Sequence, residues 1–585
     1  KKYILDIKNA YLSLGSEKKK CLKEEIDTKN ALRRSIHAKF NLMPGHILQY
    51  SDMVMKRPGT GLDSSFIQKL RGVFAFAILD HNDGSLFLAR DRMGVKPLYY
   101  YNVKGQLIFS SEIKSIIQHP EVKREINYSK INEYFIYRYV PGPETLMQNI
   151  NKFPPANYAI FKKGKLNFHK YWETEKIEKW QGNFKEAQEK FNNIFDESCK
   201  LRMLSERPVG AFLSGGIDST AIVSSLSKNS QNSLKTFSVG FDWEGDENKD
   251  AKKVANILGT DHECITCNVD ITKNLPKIIW HLDEPIGDGI ILPMYALAKA
   301  ASKHVSVVQS GEGADEILAG YLTHKIIHYG SKYNQLVPEV VQNQIKNIIK
   351  IVPPKLINNI FDYPGELGES GKNRLIDFLE MLQIYSKEFN FQFLISLFTN
   401  QEISQLIKKS SKNIKIFKNE NYTKDSLNSI LNFQFNDWLP DDILSKLDKI
   451  TMANSLEGRV PFMDHKLVEF LISLPSQYKL HFGRNKILLR DYLKQTSTFQ
   501  TSFKKKVPFY IPIDRYLSSE PLDSMIKEFL NKKSVNQRGI LNWKYIENLL
   551  NQKNRNGFIK GKQIFSILTF ELWCRIYIDN EFGWI

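Results

Sequence analysis

The stretch Pro208-Val209-Gly210-Ala211-Phe212-Leu213-Ser214-Gly215-Gly216-Ile217-Asp218-Ser219-Thr220 constrains the fold more than any other part of the chain. It reads as a short apolar strand, a glycine turn carrying an acid, and a helix that opens on two hydroxyl residues. The run 209–213 suits a buried parallel strand, and Ala221-Ile222-Val223 continues as an apolar helix face. Gly215 and Gly216 let backbone N–H groups approach a polyphosphate, and the helix N-terminus adds its positive dipole end. No Gly-Lys-Ser/Thr follows, so the turn is not a Walker loop. Asp218 is placed instead to hold Mg2+ on a phosphate pair, because hard cations take carboxylate oxygens.

From about 190 to 325, strand and helix signals alternate as in βαβ units. Strands are expected at Val209–Leu213, Thr236–Gly240, Glu263–Cys267 and Val305–Gln309, and helices at Ser219–Leu226, Asp246–Leu258, Leu275–Leu282 and Ile291–Lys303. Ala251, Val254, Ala255 and Leu258 share one helix face, which Gly259 closes as a C-terminal cap. A second turn, Gln309-Ser310-Gly311-Glu312-Gly313-Ala314-Asp315-Glu316, follows the last of these strands. Ligands of open α/β sheets bind beyond the carboxyl ends of the strands, where both turns lie. Asp315 is expected to share Mg2+ with Asp218 and clamp a leaving pyrophosphate. Glu312 is a candidate base for an attacking amine.

Beyond residue 322 the pattern turns helical, with amphipathic runs at 374–396, 428–450 and 539–580, and the polar segment 400–425 reads as a surface loop. Ser455-Leu456-Glu457-Gly458-Arg459-Val460-Pro461-Phe462-Met463-Asp464 gathers charges around a Pro-Phe turn more densely than packing alone needs. Lys486 and Arg490 stand at i,i+4 on one helix face, where both point at a single anion.

Composition removes several alternatives. The chain has 585 residues with 42% hydrophobic and 12% aromatic content, enough for real cores in several domains. No apolar run approaches a membrane span, and no secretory leader pattern is present. Five cysteines make no disulfide framework, and a reducing cytoplasm is the simplest setting. Cys264 and Cys267 have CxxC spacing but lie on a strand, which turns their sulfurs to opposite faces, and no second pair completes a zinc site. The net charge of +18 is spread along the chain rather than gathered with aromatic residues, so neither nucleic acid nor membrane is an expected partner.

Ser214–Ser219 resembles the pyrophosphate loop of the N-type ATP pyrophosphatases. Together with Thr236–Gly240, Asp283-Glu284-Pro285-Ile286-Gly287-Asp288, Ser310–Glu316, Glu457–Asp464 and Lys486–Arg490, it resembles the synthetase domain of glutamine-dependent asparagine synthetases. The resemblance implies an α/β fold: a parallel-sheet PP-loop ATP pyrophosphatase (adenine nucleotide alpha hydrolase-like) domain with a helical C-terminal half, spanning 190–585. It implies that Ser214, Gly215, Gly216, Ser219, Ser310 and Gly311 cradle ATP, with Asp218 and Asp315 holding Mg2+. Ser238, Val239 and Gly240 would contact adenosine. Glu312 would serve the amine attack, and Lys486 would stabilise the acyl-adenylate transition state. Asp288, Glu457 and Arg459 would lie near the amino-acid substrate. The implied reaction is ATP-dependent carbon–nitrogen ligation of ammonia to aspartate or another small carboxylate, and a homodimer is compatible with it. Related enzymes on this scaffold amidate other acids, so a sugar carboxylate of a surface polysaccharide precursor is the alternative acceptor.

Upstream, Leu70–Asp80, Phe87–Tyr100 and Phe109–Lys114 resemble the C-terminal part of that family's glutaminase domain, which implies a partial N-terminal-nucleophile-type β-sandwich over 70–185. The family's nucleophile is an N-terminal cysteine whose own amine is the base. This sequence begins at Lys1, and Cys21 sits in a lysine-rich stretch, so the glutaminase half is expected to be inactive, with ammonia taken free or from a partner glutaminase. Arg33–Ala38, Pro44-Gly45 and Met55-Lys56-Arg57-Pro58-Gly59-Thr60-Gly61-Leu62 resemble the C-terminal antifreeze-like domain of sialic-acid synthases, which implies a partial domain over 1–69. Two truncated domains meeting near residue 70 would leave apolar strands and edges exposed, so an inactive fusion product is the non-enzymatic alternative.

Overall fold

The computed structural model describes residues 35–38, 53–56, 62–81, 83–228, 233–240, 248–267, 269–353, 356, 372–373, 375–380, 395–408, 426–504, 513–551 and 558–581. Its centre is a five-stranded sheet in the spatial order 261–266, 235–240, 209–212, 307–309, 457–459, with every pair parallel. Val209 pairs with Val307 and Ala211 with Gln309, so the two glycine turns leave the same end of adjacent strands. Phe237 and Val239 face a cluster with Ile278, Ile291 and Ala298, whereas Ala211 and Leu213 face Phe195, Ala221 and Val254. Burial on both faces is why these strands read as apolar runs rather than alternating ones.

The expected strands and helices of 190–325 are present, with ends shifted by up to two residues. Gly259, at φ +65°, follows helix Asn248–Leu258 as expected. Among the C-terminal elements, 426–452 is one continuous helical run. Its centre, Gln434–Leu444, opens into π turns around Pro440, which has no N–H to give to an α-helical ladder.

The segment 400–425, read as a loop, starts with a helix, Asn400–Leu406. The Thr399 hydroxyl accepts from Glu402 N at 3.2 Å and the Glu402 carboxylate accepts from Thr399 N at 2.7 Å. This capping box outweighs the polar composition that suggested a loop. The remainder, 409–425, lies outside the described residues, as does 381–394 of the expected run 374–396.

The N-terminal part carries two antiparallel sheets, ordered 165–170, 157–162, 85–90, 75–80 and 106–110, 99–103, 150–152. Ala77, Leu88, Leu98, Phe153 and Ala159 form one buried cluster, and Ile67, Ile78, Phe87 and Tyr171 another, so neighbouring residues of strand 75–80 serve opposite faces. Strands 35–38, 53–56 and 62–63 make a separate small sheet. Cys21 and the turn Arg57–Gly61 lie outside the described residues.

Buried charge joins the N-terminal part to the parallel-sheet half. Asp283 accepts from Lys114 Nζ at 3.1 Å and pairs with Lys449, and Glu284 pairs with Lys152 at 2.9 Å. Arg71 reaches Glu197 at 2.7 Å and Asp464 at 2.9 Å. Among the described residues no helix is long and apolar enough to cross a membrane. Cys264 is exposed and Cys267 buried, both free thiols, in accord with their opposed directions on the chain.

Candidate functional site

Strand Val209–Phe212 ends in a tight turn at Ser214–Gly216, and helix Ile217–Ser227 follows. Gly215 takes φ +72°, open to glycine at little cost. The Ser214 and Ser219 hydroxyls lie 3.1 Å apart, and Gly216 N donates to Ser214 Oγ at 3.3 Å. The helix starts at Gly216 with no side-chain cap, which leaves its first N–H groups for an anion. The second turn comes directly alongside. A Cβ on Gly311 would stand 3.1 Å from Asp218 Cβ and 3.5 Å from Ser219 N, so glycine there lets the two turns touch. Ser310 N donates to Arg459 O at 2.9 Å, which ties this turn to the edge strand.

Lys486 binds the two turns together. It takes a left-handed conformation, φ 54° and ψ 40°, ahead of helix Ile487–Lys494, and its side chain is fully buried. Its ammonium donates to both oxygens of Asp218 at 2.6 Å and pairs with Asp315 Oδ1. The two carboxylates therefore lie within reach of a single cation. A buried ammonium needs such partners, because desolvation alone would be prohibitive. Gly320 closes the arrangement: Asn485 Nδ2 donates to its carbonyl at 2.7 Å, and any Cβ there would strike the Asp315 carboxylate and the Lys486 stem.

Asp218 and Asp315 also suit Mg2+. That ion is commonly bound by one or two carboxylates and substrate phosphates rather than a full protein cage. Two facing carboxylates beside an uncapped helix N-terminus match this donor set.

The remaining expected residues make contacts of their own. Ser238 donates to Asn248 Oδ1 at 2.7 Å and contacts His262 Nε2 at 3.2 Å, at the carboxyl end of its strand with Val239 and Gly240. Glu312 is half-buried between Gly311 and Gly313. Asp288 accepts from Ile290 N at 3.3 Å. Its carboxyl is half-buried, and the desolvation by itself raises its pKa; Lys562, Lys446 and Arg138 together outweigh that and hold it well below the usual range. Burial pushes the Lys562 ammonium down to about 8.

Glu457 and Arg459 bind each other at 2.9 Å on the edge strand. Arg459 also donates to the Arg202 and Leu204 carbonyls, just past helix Phe184–Leu201. Asp464 caps helix His465–Ser473 and pairs with Arg71 and Arg202, so the dense charge of 455–464 largely ties elements together. Arg490 does not share an anion with Lys486, because Lys486 precedes the helix rather than standing on its face. The guanidinium instead donates to the Asn485, Ser502 and Lys504 carbonyls.

Three features escaped the motif reading. Asp283 and Glu284 dock the N-terminal part rather than facing the turns. Lys504 donates to the Gly215 carbonyl at 3.0 Å, although in sequence it is one of three consecutive lysines with no motif around it. Glu316 is buried and accepts from Tyr321 Oη at 2.5 Å; burial, reinforced by Asp315, pushes its carboxyl up to about 8.

Tyr321 N also donates to His324 Nδ1 at 3.2 Å, which leaves the proton on Nε2 for Gln434. Burial pushes the His324 imidazole from 6.5 down to about 4. Between those values the unfolded chain binds a proton that the folded chain does not. Stability from this residue is thus complete above pH 6.5 and falls as pH drops toward 4, by about 1.4 kcal/mol per pH unit at most. Urea unfolding at pH 7 and 4.5 should show a smaller acid loss for His324→Gln than for the parent; equal losses would contradict this assignment.

The family model described as Asparagine synthase matches residues 190–575, and that described as Glutamine amidotransferase domain matches residues 20–172. The second match overlaps the segment compared above with the antifreeze-like domain. Asparagine synthetase [glutamine-hydrolyzing] 1 of Bacillus subtilis is 31% identical over 525 residues, covering 88% of this chain and 79% of that protein. A putative asparagine synthetase [glutamine-hydrolyzing] of Mycobacterium bovis is 27% identical over 533 residues, covering 88% and 78%. Amidase chyE of Penicillium rubens is 26% identical over 519 residues, covering 82% and 75%.

Proposed function

The chain belongs to the asparagine synthase family and is an ATP-dependent carbon–nitrogen ligase, and from that premise we propose that it adenylates the side-chain carboxylate of aspartate and passes ammonia to it, releasing asparagine, AMP and pyrophosphate. The observation that carries the reading is the meeting of Asp218 and Asp315 on Lys486 beside an uncapped helix N-terminus.

A carboxylate is a poor electrophile, and an attached AMP makes its oxygen a good leaving group. The acceptor oxygen bonds to the α-phosphorus of ATP as the bond to pyrophosphate breaks; ammonia then bonds to the acyl carbon as AMP leaves. In this reading Ser214, Gly215, Gly216, Ser219, Ser310 and Gly311 bind the phosphates through hydroxyl and backbone N–H groups. Lys486 offsets negative charge that builds up during AMP transfer. Glu312 takes the proton released by the attacking nitrogen. Ser238, Val239 and Gly240 are on the nucleotide side in this reading, and Asp288, Glu457 and Arg459 are the residues assigned to the acceptor. Mg2+, held by Asp218 and Asp315, supplies charge neutralisation on the pyrophosphate when bound.

Cys21 is the single cysteine within the amidotransferase match, and it lies among lysines. In this reading ammonia, free or delivered by a partner, is the nitrogen donor. Purified protein should release pyrophosphate with ATP, aspartate and ammonium, and at most a few per cent of that rate with glutamine. Equal rates with glutamine would refute the inactive-glutaminase reading. The amidase-named relative favours testing a second acceptor class, so the same assay should carry uronic acids beside aspartate; faster release with a uronic acid would replace aspartate as the acceptor.

A further inference from the structure

Lys504 belongs to none of the motifs, yet its ammonium sits on the glycine turn. Nζ donates to the Gly215 carbonyl at 3.0 Å and pairs with Asp250 Oδ2 at 2.9 Å. Asp250 lies in the first turn of helix Asn248–Leu258, and that helix presses directly on the glycine. A Cβ at Gly215 would stand 2.5 Å from the Asp250 carbonyl carbon and 2.6 Å from Ala251 N. The turn is thus held between a helix start and a lysine.

The lysine itself is anchored from behind. Arg490 Nη1 donates to Ser502 O at 2.6 Å and Lys504 O at 2.8 Å, while its Nε donates to Asn485 O at 2.7 Å. Asn485 immediately precedes Lys486. One buried guanidinium therefore holds the backbone beside both lysines.

Two further considerations give Lys504 a task. Asp218, Asp315 and Lys486 together carry a net negative charge, which opposes an incoming triphosphate unless other cations stand by. The Lys504–Asp250 pair is also partly open to solvent, 32% and 46% exposed, and such pairs add little to stability. In a trans peptide the carbonyl and the following N–H point in opposite directions. With the Gly215 carbonyl held on Lys504, the Gly216 N–H turns toward the Ser214 hydroxyl, the side where Ser219 also lies.

We propose that Lys504 is a positioning residue of the nucleotide site: it pins the Gly215 carbonyl outward so that the turn presents its N–H groups to the phosphates, and it places a positive charge beside them. This deepens the reading of the turn as an ATP site and rests on it.

The test uses the full chain and two readouts, equilibrium binding of ATP and steady-state pyrophosphate release. Lys504→Ala should weaken ATP binding and raise the ATP KM by about ten-fold, the scale of a lost charged hydrogen bond. The acceptor KM and the melting temperature should stay put, and Lys504→Arg should recover ATP binding to within about three-fold of the parent. Asp250→Asn, which removes only the competing carboxylate, should leave ATP binding equal or tighter. Unchanged ATP binding in Lys504→Ala would overturn the inference. So would a lowered melting temperature with every KM unchanged, or an equal loss in Asp250→Asn. A parent protein that binds ATP but releases no pyrophosphate would defeat the ligase reading while leaving the Lys504 comparison intact; one that binds no ATP would defeat both.

Discussion

Lys486→Ala should lower pyrophosphate release by about three orders of magnitude, the upper range for removing one preorganised electrostatic group. The side chain is fully buried and is shared by carboxylates from two different turns. Without it, Asp218 and Asp315 face each other as like charges, and the charge that develops during AMP transfer loses its nearest cation. Stripping one partner from a buried ion pair also destabilises a fold, by about 3–5 kcal/mol, so the alanine variant alone could mislead. Lys486→Arg separates the two effects. It keeps the charge, yet the larger guanidinium cannot place one compact donor between two separate carboxylates, Asp218 and Asp315, as the ammonium does. It should still unfold cooperatively within several degrees of the parent and yet lose at least about a hundred-fold in pyrophosphate release, on the scale of misplacing a reacting group by an ångström. Parent-like turnover in Lys486→Arg would show that position, as distinct from charge, is unimportant here.

Gly320→Ala should be nearly as damaging, although it removes no functional group. The new methyl would collide with the Asp315 carboxylate and the Lys486 stem, so one or both must leave their present contacts. Gly320 N donates to Asp315 O at 2.9 Å and its carbonyl accepts from Asn485, which leaves the backbone little room to retreat. Overpacking of this kind costs about 1–3 kcal/mol in stability, whereas an ångström of displacement at reacting groups costs about a hundred-fold in rate. Turnover should therefore fall about a hundred-fold in a protein that still unfolds cooperatively within several degrees of the parent. If turnover and melting temperature are both unchanged, the close packing of Asp315 and Lys486 against Gly320 is not what holds the site.

Much of this site could be read from the sequence because its makers are local. A glycine turn between an apolar strand and a helix lies at the strand's carboxyl end, where ligands of open α/β sheets bind. That reading put Asp218 and Asp315 at the carboxyl ends of two strands; the structure adds that Val209–Phe212 and Val307–Gln309 are neighbours. The partners that arrive from far along the chain were harder to see. Lys486 and Arg490 have the spacing of one helix face, but the left-handed backbone at Lys486 starts the helix one residue later and sends the two side chains apart. Lys504 is indistinguishable in sequence from its lysine neighbours; only the fold brings it to Gly215. Asp283 and Glu284 sit in a motif beside Asp288, yet they turn to Lys114, Lys449 and Lys152, partners that spacing along the chain does not reveal. The charge density at 455–464 also serves structure, since Arg459 donates to the Arg202 carbonyl and Asp464 pairs with the Arg202 guanidinium, contacts that no spacing in the sequence reveals.

The most direct trial of the account is the fate of the acceptor's oxygen. Turnover with ATP, ammonium and aspartate labelled with oxygen-18 in its side-chain carboxylate should yield AMP carrying one labelled oxygen and pyrophosphate carrying none, as mass spectrometry would read. Unlabelled AMP, or ADP with phosphate in place of AMP, would contradict the transfer of an adenylyl group to a carboxylate at this corner.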